Sequence, residues 1–194
     1  QRSNGLPYYW VTYVGDVRVG DYGMAPRITD APAYADILPQ ALLDIPTLSL
    51  STDMDLLFSQ EGGIYVNPKS RGWERPVCAE FFDPRGDMEG FQVNCGIRVH
   101  GEIARSPTNN PKYPLRLLFK GEYGHTKLEY PLFEDNPVEQ FDTIVLRATY
   151  GGSWISGSSS AQYVYNDFSH NIMRDMGQPA PSGRQVHLYI NGLY

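Results

Sequence analysis

The chain has 194 residues, a length that allows one domain or one domain with an added arm. Its formal net charge is −6, from 16 Lys and Arg against 22 Asp and Glu, which argues against nucleic acid and anionic membrane surfaces as partners. Because no apolar run approaches the roughly 20 residues that span a bilayer, we expect no membrane insertion.

Residues 1–44 have the composition of an arm or linker, since they are rich in Tyr, Gly, Pro and Asp and show no sustained apolar period. One short helix is predicted over 31–38, where Asp30 serves as the N-cap and Pro32 lies in the first turn. The character of the sequence changes at Ile45, so we predict that a domain occupies 45–194.

Alternating apolar and polar residues predict a strand over 47–51, and a single helical turn is predicted over 53–58. An extended piece bounded by turn residues is predicted over 62–68. Further strands are predicted over 115–119 and 143–148.

Two predicted strands, 76–83 and 90–99, flank a turn and form an antiparallel hairpin. If Gly86-Asp87 is the centre of that turn, Cys78 lies opposite Cys95 at about the separation that a disulfide requires. The alternative is two reduced, buried cysteines that act as small hydrophobic residues.

The longest predicted helix covers 161–176 and ends at Gly177. Its apolar residues recur every four positions, which predicts an amphipathic helix with one stripe: Val164, Phe168, Ile172 and Met176. A last strand is predicted over 186–190, followed by a tight turn at Asn191-Gly192. Because a hairpin needs a return strand after such a turn, we infer that the sequence is part of a longer protein. The predicted fold class is α+β, an antiparallel-rich sheet with one main helix, preceded by an irregular arm.

The chain contains neither a Walker A loop nor the glycine motif of dinucleotide-binding folds, and the serine elbow of hydrolases is also absent. Its main chemical signal is a run of cations. Strand alternation places Arg98 and His100 on one face, Arg105 follows in a loop, and Lys112 and Arg116 lead into the next strand. Such a set can bind phosphate, or its members can be ordinary surface cations that pair with nearby glutamates.

Several stretches, taken in order, resemble the CotH kinase-like family, the spore-coat kinase type found in many large secreted bacterial proteins. The resemblance covers about 45–194, and its most specific part is a G-I-R-x-x-G…R…P-K core. The stretches that carry it are I-P-T-L-S-L from Ile45, G-I-Y-V-N from Gly63, W-E-R-P from Trp73, F-Q-V-N-C-G-I-R-V-H-G from Phe91, Arg105, P-K-Y-P-L-R-L from Pro111, Leu146-Arg147, and D-M-G from Asp175.

The resemblance implies the smaller, strand-rich lobe of an atypical protein kinase, with a lysine on a central strand and a helix in the place of kinase helix αC. Lys112 would be the phosphate-binding lysine, with Arg98 and Arg105 nearby, and Asp167 or Asp175 would be its helix partner. ATP and Mg²⁺ are the implied cofactors, and protein Ser or Thr is the implied phosphate acceptor in the intact protein.

Two departures from the family bear on activity. Tyr113 stands where the family often has a second lysine, and the family's metal-binding and catalytic aspartates would lie beyond Tyr194. We therefore expect this chain alone to be inactive as a kinase. The implied partners are a protein substrate or neighbouring extracellular domains, and self-association is a further expectation.

A location outside the cell, secreted or at the cell surface, also agrees with the composition, which has 13 % aromatic residues, 19 Gly and 15 Pro. A non-catalytic structural or binding module of a surface protein is the main alternative to the kinase. A carbohydrate-binding module is a third hypothesis, because Trp10, Trp73 and Trp154 could stack on sugars.

Overall fold

A computed structural model describes residues 10–14, 17–24, 26–106, 112–134, 136–148 and 161–194, with the backbone alone for 10–22. The fold is α+β, with an antiparallel-rich six-stranded sheet and few helices. In chain order its elements are β1 Trp10–Val14, β2 Val17–Tyr22, α1 Pro26–Thr29, α2 Leu38–Ala41, β3 Thr47–Ser51, α3 Met54–Phe58, β4 Arg75–Phe82, β5 Phe91–Val99, β6 Leu115–Leu118, β7 Leu128–Glu129, β8 Gln140–Phe141, β9 Thr143–Leu146, α4 Tyr165–Asp175 and β10 His187–Ile190.

The main sheet has the strand order β10-β3-β4-β5-β6-β9. Its neighbouring strands are antiparallel except β10 and β3, which run parallel. Each strand predicted from 47 onward is present, as is the helical turn α3, whose N-terminus is capped by the Asp53 carboxylate accepting from the backbone N–H of Asp55. The antiparallel-rich α+β class is confirmed.

One face of the sheet carries the hydrophobic core. Alternate residues of β4 and β5 are buried there, as strand geometry requires, and residues of β3 and β6 continue the layer: Leu48, Leu50, Val77, Ala79, Phe81, Val93, Cys95, Ile97, Val99, Leu115 and Leu117. The residues between them point to the opposite face, which we call the open face. Side chains on that face are mostly polar.

The β4–β5 hairpin is present, but the predicted pairing of the cysteines is wrong. Cys78 lies opposite Asn94, while Cys95 lies opposite Val77, and both thiols are free. The pairing register differs by one residue from the expected one, which centres the turn on Gly86. A one-residue change of register moves a side chain to the other face of the sheet. Cys95 therefore belongs to the core, and Cys78 lies on the open face.

Two local predictions fail because backbone donors find other partners. The helix predicted over 31–38 is a series of turns, because the N–H groups of Tyr34, Ala35 and Ile37 bond to carbonyls three residues earlier and not four. Helix α2 follows, with Pro39 in its first turn. The piece at 62–68 is not extended, because the backbone N–H groups of Ile64 and Tyr65 bond back to the carbonyls of Leu56 and Leu57. Within the 1–44 arm, β1 and β2 pair as an antiparallel hairpin.

Both predicted chain reversals near the C-terminus are present. α4 ends where the N–H groups of Gly177 and Gln178 bond to the carbonyls of Arg174 and Met173, with Gly177 at φ 77°. After β10, the tight turn at Asn191-Gly192 brings Leu193 back to pair with Ile190. Across the described ranges, no helix combines the length and apolar character needed to cross a bilayer.

Candidate functional site

Two arginines face each other on the open face of the sheet. Arg98 of β5 and Arg116 of β6 are direct cross-strand partners, and Val145 of β9 is the next residue in the row. Both arginines are half-buried. Like charges placed directly opposite one another on neighbouring strands repel, so this pairing costs stability unless an anion lies between them.

No carboxylate compensates this pair within the described ranges. Neither guanidinium forms an ion pair or hydrogen bond there, and Nε of Arg116 is buried with no partner. A buried donor without an acceptor is costly, and guanidinium groups bind phosphate or carboxylate oxygens through paired N–H donors. The pair is therefore a candidate site for an anion.

His100 reports the electrostatic field of this region. Its pKa is lowered, first by burial and then by the positive charges of Arg116, Arg105 and Arg98. The three arginines thus act on one imidazole within a chain whose net charge is −6. We call Arg98, His100, Arg105 and Arg116 the basic cluster.

Arg105 occupies the cluster in a different way from the other two arginines. Its guanidinium donates to the backbone carbonyls of Val99 at 2.7 Å and Pro68 at 3.2 Å, and also to that of Gly101. Burial also lowers its pKa. Arg105 therefore holds the loop after β5 in place and adds its positive charge to the basic cluster.

Lys112 does not lie in a strand as the family resemblance implied. It precedes β6, and its Nζ lies 5.9 Å from the centroid of the Tyr194 ring. Neither of its expected helix partners, Asp167 and Asp175, forms an ion pair within the described part of the chain. Asp167 instead accepts a hydrogen bond from the Gln185 amide at 2.6 Å.

A second charged group on the open face lies over Gly96. Nζ of Lys120 is 2.8 Å and 2.9 Å from the two carboxylate oxygens of Glu74, and Tyr123 packs beside them. Burial raises the pKa of Tyr123 to about 12, with the Glu74 carboxylate adding to the effect. Residue-level reasoning missed Lys120, although its even spacing from Arg116 could have placed it on the same face.

The sequence pattern of helix α4 predicts that its apolar stripe faces the sheet, but in the structure its polar side does. The predicted apolar stripe points outward, with Phe168 66 % and Met176 71 % exposed. The inward side carries the half-buried polar residues Asn166, Asp167 and His170. Between this polar side and the core face of the sheet lies a cavity of about 540 Å³.

The carbohydrate hypothesis loses one of its supports. The Arg75 guanidinium lies 4.9 Å from the centroid of the Trp73 ring, which is itself half-buried against the core, so one ring face is already covered. The side chain of Trp10 and all of Trp154 fall outside the described residues.

Within the parts of the chain that the structure describes, no group of three or more His, Cys, Asp or Glu side chains is placed to hold a metal ion. Comparison of the chain with protein-family models, curated proteins and solved structures finds no match.

Proposed function

We propose that this chain is the strand-rich lobe of a CotH-like kinase domain, in which the basic cluster binds the phosphates of ATP. The observation that carries the proposal is the Arg98–Arg116 pair, two guanidinium groups with no acidic partner in the described residues. Phosphoryl transfer depends on cations that neutralise the phosphate oxygens, and paired arginines suit that task.

The α+β fold supports the same proposal, since an antiparallel-rich sheet followed by a helix is the order expected of such a lobe. Lys112, four residues before Arg116, is proposed as an additional phosphate-binding cation. The intact protein would use Mg²⁺ and transfer phosphate to protein Ser or Thr outside the cell. Phosphoryl transfer also needs a bound metal ion and a positioned base, so ATP binding is the part of the proposed function that this chain's basic cluster is proposed to supply.

Calorimetric titration of the full chain with ATP, with and without Mg²⁺, tests the proposal. Arg98→Ala and Arg116→Ala should each weaken ATP binding by about 10- to 100-fold, because a charge-assisted hydrogen bond is worth roughly 1.5–3 kcal/mol. Lys112→Ala should weaken it less. Arg85→Ala is the matched control, since Arg85 pairs with Asp44 at the far end of the β4–β5 hairpin.

If the Arg98→Ala, Arg116→Ala and Lys112→Ala variants all bound ATP as tightly as the original chain, the proposed site would be refuted. Absence of binding at millimolar ATP would refute the nucleotide function itself. Binding of ATP but not of inorganic phosphate would not harm the proposal, because the nucleoside adds contacts of its own.

A second candidate function, a non-catalytic binding module, is favoured by the exposed stripe on α4. Apolar surface of this kind marks association sites in soluble proteins. Sedimentation of the chain at increasing concentration tests self-association. A dimer that the Phe168→Ser and Met176→Ser double variant dissociates would support this function, and a monomer at all concentrations would argue against association with itself.

A further inference from the structure

The cavity beneath α4 combines an apolar floor with a polar roof. Its floor is the core face of the sheet, where aromatic and aliphatic side chains such as Phe81, Phe91 and Leu117 line the space. Its roof is the polar side of α4. If α4 packed its apolar stripe against the sheet, those side chains would fill this space. The cavity and the exposed stripe therefore both result from the orientation of α4.

The size and lining of the cavity suit a small organic molecule. A volume of about 540 Å³ lies within the range typical of ligand sites. Phe133 and Phe141 meet edge to face at its side, with ring centroids 5.6 Å apart, and both contact the hydrophobic core. Aromatic walls of this kind contact alkyl and aromatic groups over a large area.

One side of the cavity carries a cation for the head of such a ligand. Arg147 lines the cavity, and it forms no ion pair with the described residues. Its guanidinium nitrogens lie 3.1 Å and 3.2 Å from the amide oxygen of Asn166, once that amide is oriented to accept. A neutral amide positions Arg147 without neutralising its charge.

The one carboxylate of α4 in the lining is directed elsewhere. Asp167 accepts from the Gln185 amide through Oδ2, and its Oδ1 lies against Gly183, where a Cβ would approach it to 2.5 Å. The other arginine of the lining, Arg184, is already paired with Glu134. Arg147 is therefore the lining charge best placed for an incoming group of opposite sign.

We propose that this cavity binds an amphipathic small molecule, with an alkyl or aromatic body on the core face of the sheet and an anionic head on Arg147. The site is separate from the basic cluster, because neither Arg98 nor Arg116 lines the cavity. Ligand binding here would also fix the orientation of α4, since the ligand would occupy the space that the apolar stripe would otherwise fill.

Laurate is a suitable probe, with dodecanol as its neutral counterpart, each titrated into the full chain below its micelle or solubility limit. We expect one saturable laurate site. Ile144→Trp, which fills the cavity, should weaken laurate at least 10-fold. Arg147→Gln should weaken laurate about 5- to 10-fold and leave dodecanol unchanged. Lys127→Gln, at a surface lysine paired with Asp142, is the matched control.

A second variant separates the cavity from the exposed stripe. Phe168→Ser with Met176→Ser should leave laurate affinity unchanged, and a loss of binding in that variant would assign the site to the stripe and overturn the proposal. Laurate that fails to saturate by about 1 mM, or that binds the Arg147→Gln chain as well as the original, would also overturn it. Arg147 is exposed, so its variant keeps the test valid even if Ile144→Trp fails to fold.

Discussion

Neighbouring residues of β5 show how differently the two faces of the main sheet are built. Ile97 is 1 % exposed and contacts the apolar core, while Arg98 points to the open face and lies opposite a second arginine. Every alternate residue of this strand follows one rule or the other. The core face maximises apolar contact, and the open face tolerates a repulsive charge pair that contributes nothing favourable to folding.

This contrast indicates that the two faces of the sheet have different roles. Residues of the core face determine whether the chain folds, and substitutions there should act through stability. Residues of the open face are free to serve recognition, and most substitutions there should leave stability nearly unchanged. The predictions below test that division, including one position on the open face where it should fail.

The largest expected effect is on the core face. Ile97→Ala should lower the free energy of unfolding by about 2–5 kcal/mol, because it removes buried methyl and methylene groups and leaves a cavity. Gln92→Ala, on the open face of the same strand, should change it by no more than about 0.5 kcal/mol. Urea denaturation of both variants measures the difference, and equal losses would contradict the division between the faces.

Gly96 is the exception on the open face. A Cβ at this position would lie 2.4 Å from a Glu74 carboxylate oxygen and 2.7 Å from the Tyr123 ring. Gly96→Ala should therefore cost about 1–3 kcal/mol in the same urea experiment. Gly121→Ala is the control, since its Cβ would meet only Thr126 at 3.6 Å. If the two substitutions cost the same, the Lys120–Glu74 group does not pack on Gly96 as described.

The reactivities of the two cysteines allow the two faces of the sheet to be compared within one molecule. Cys95 is fully buried, and burial, with smaller contributions from Cys78 and Glu74, raises its pKa to about 12. Because the thiolate is the reactive form, Cys95 should react with a thiol reagent at least about 10-fold more slowly than Cys78 in the native protein. Mass spectrometry after timed alkylation gives both rates. Rapid modification of both thiols, or a Cys78–Cys95 disulfide, would contradict the register.

The smallest expected effect concerns pH. The pKa of His100 is lower in the folded chain than its ordinary value. At a pH between the folded and the unfolded pKa, the unfolded state therefore binds more protons than the folded state. This residue therefore makes stability rise with pH across that window, which lies below about pH 6.5. In His100→Gln the slope of unfolding free energy against pH should be smaller there. A slope identical to that of the original chain would show that folding does not lower the pKa of His100.

Much of the fold follows from local pattern. The alternation at 47–51 and in the two hairpin strands predicts both the strands and the buried residues, because it matches the period of a strand on a half-buried sheet. Gly177 and Asn191-Gly192 predict their turns through the left-handed backbone that these residues adopt readily. In each case the residues that determine the element lie within it or within a few positions of it in the sequence.

The sequence-based predictions fail where residues distant in the chain determine the local structure. The thiols of Cys78 and Cys95 fall on opposite faces because the hairpin register differs by one residue from the expected one. Periodicity predicts a stripe on α4 but not the direction in which it points, which depends on the whole layer beneath the helix. Parallel pairing of β10 with β3 joins segments more than 130 residues apart, as the register of His187 with Thr47 shows.

The candidate site divides in the same way. Alternation places Arg98 and His100 on one face from the sequence alone, and both belong to the basic cluster. The pairing of Arg98 with Arg116 required the register between β5 and β6, which depends on the loop that joins them. Lys112 and Arg105 carried the expected charge but not the expected geometry, since the surrounding backbone determines what a cation contacts.

The most direct test of the account is urea denaturation of the Arg98→Ala, Arg116→Ala double variant, with and without millimolar ATP. Without ATP the double variant should be as stable as the original chain or more stable, because a repulsive pair has been removed. ATP should raise the unfolding free energy of the original chain, as a ligand that binds only the folded state must, and should leave the double variant unchanged. Loss of stability in the double variant without ATP, or equal stabilisation of both chains by ATP, would contradict the account.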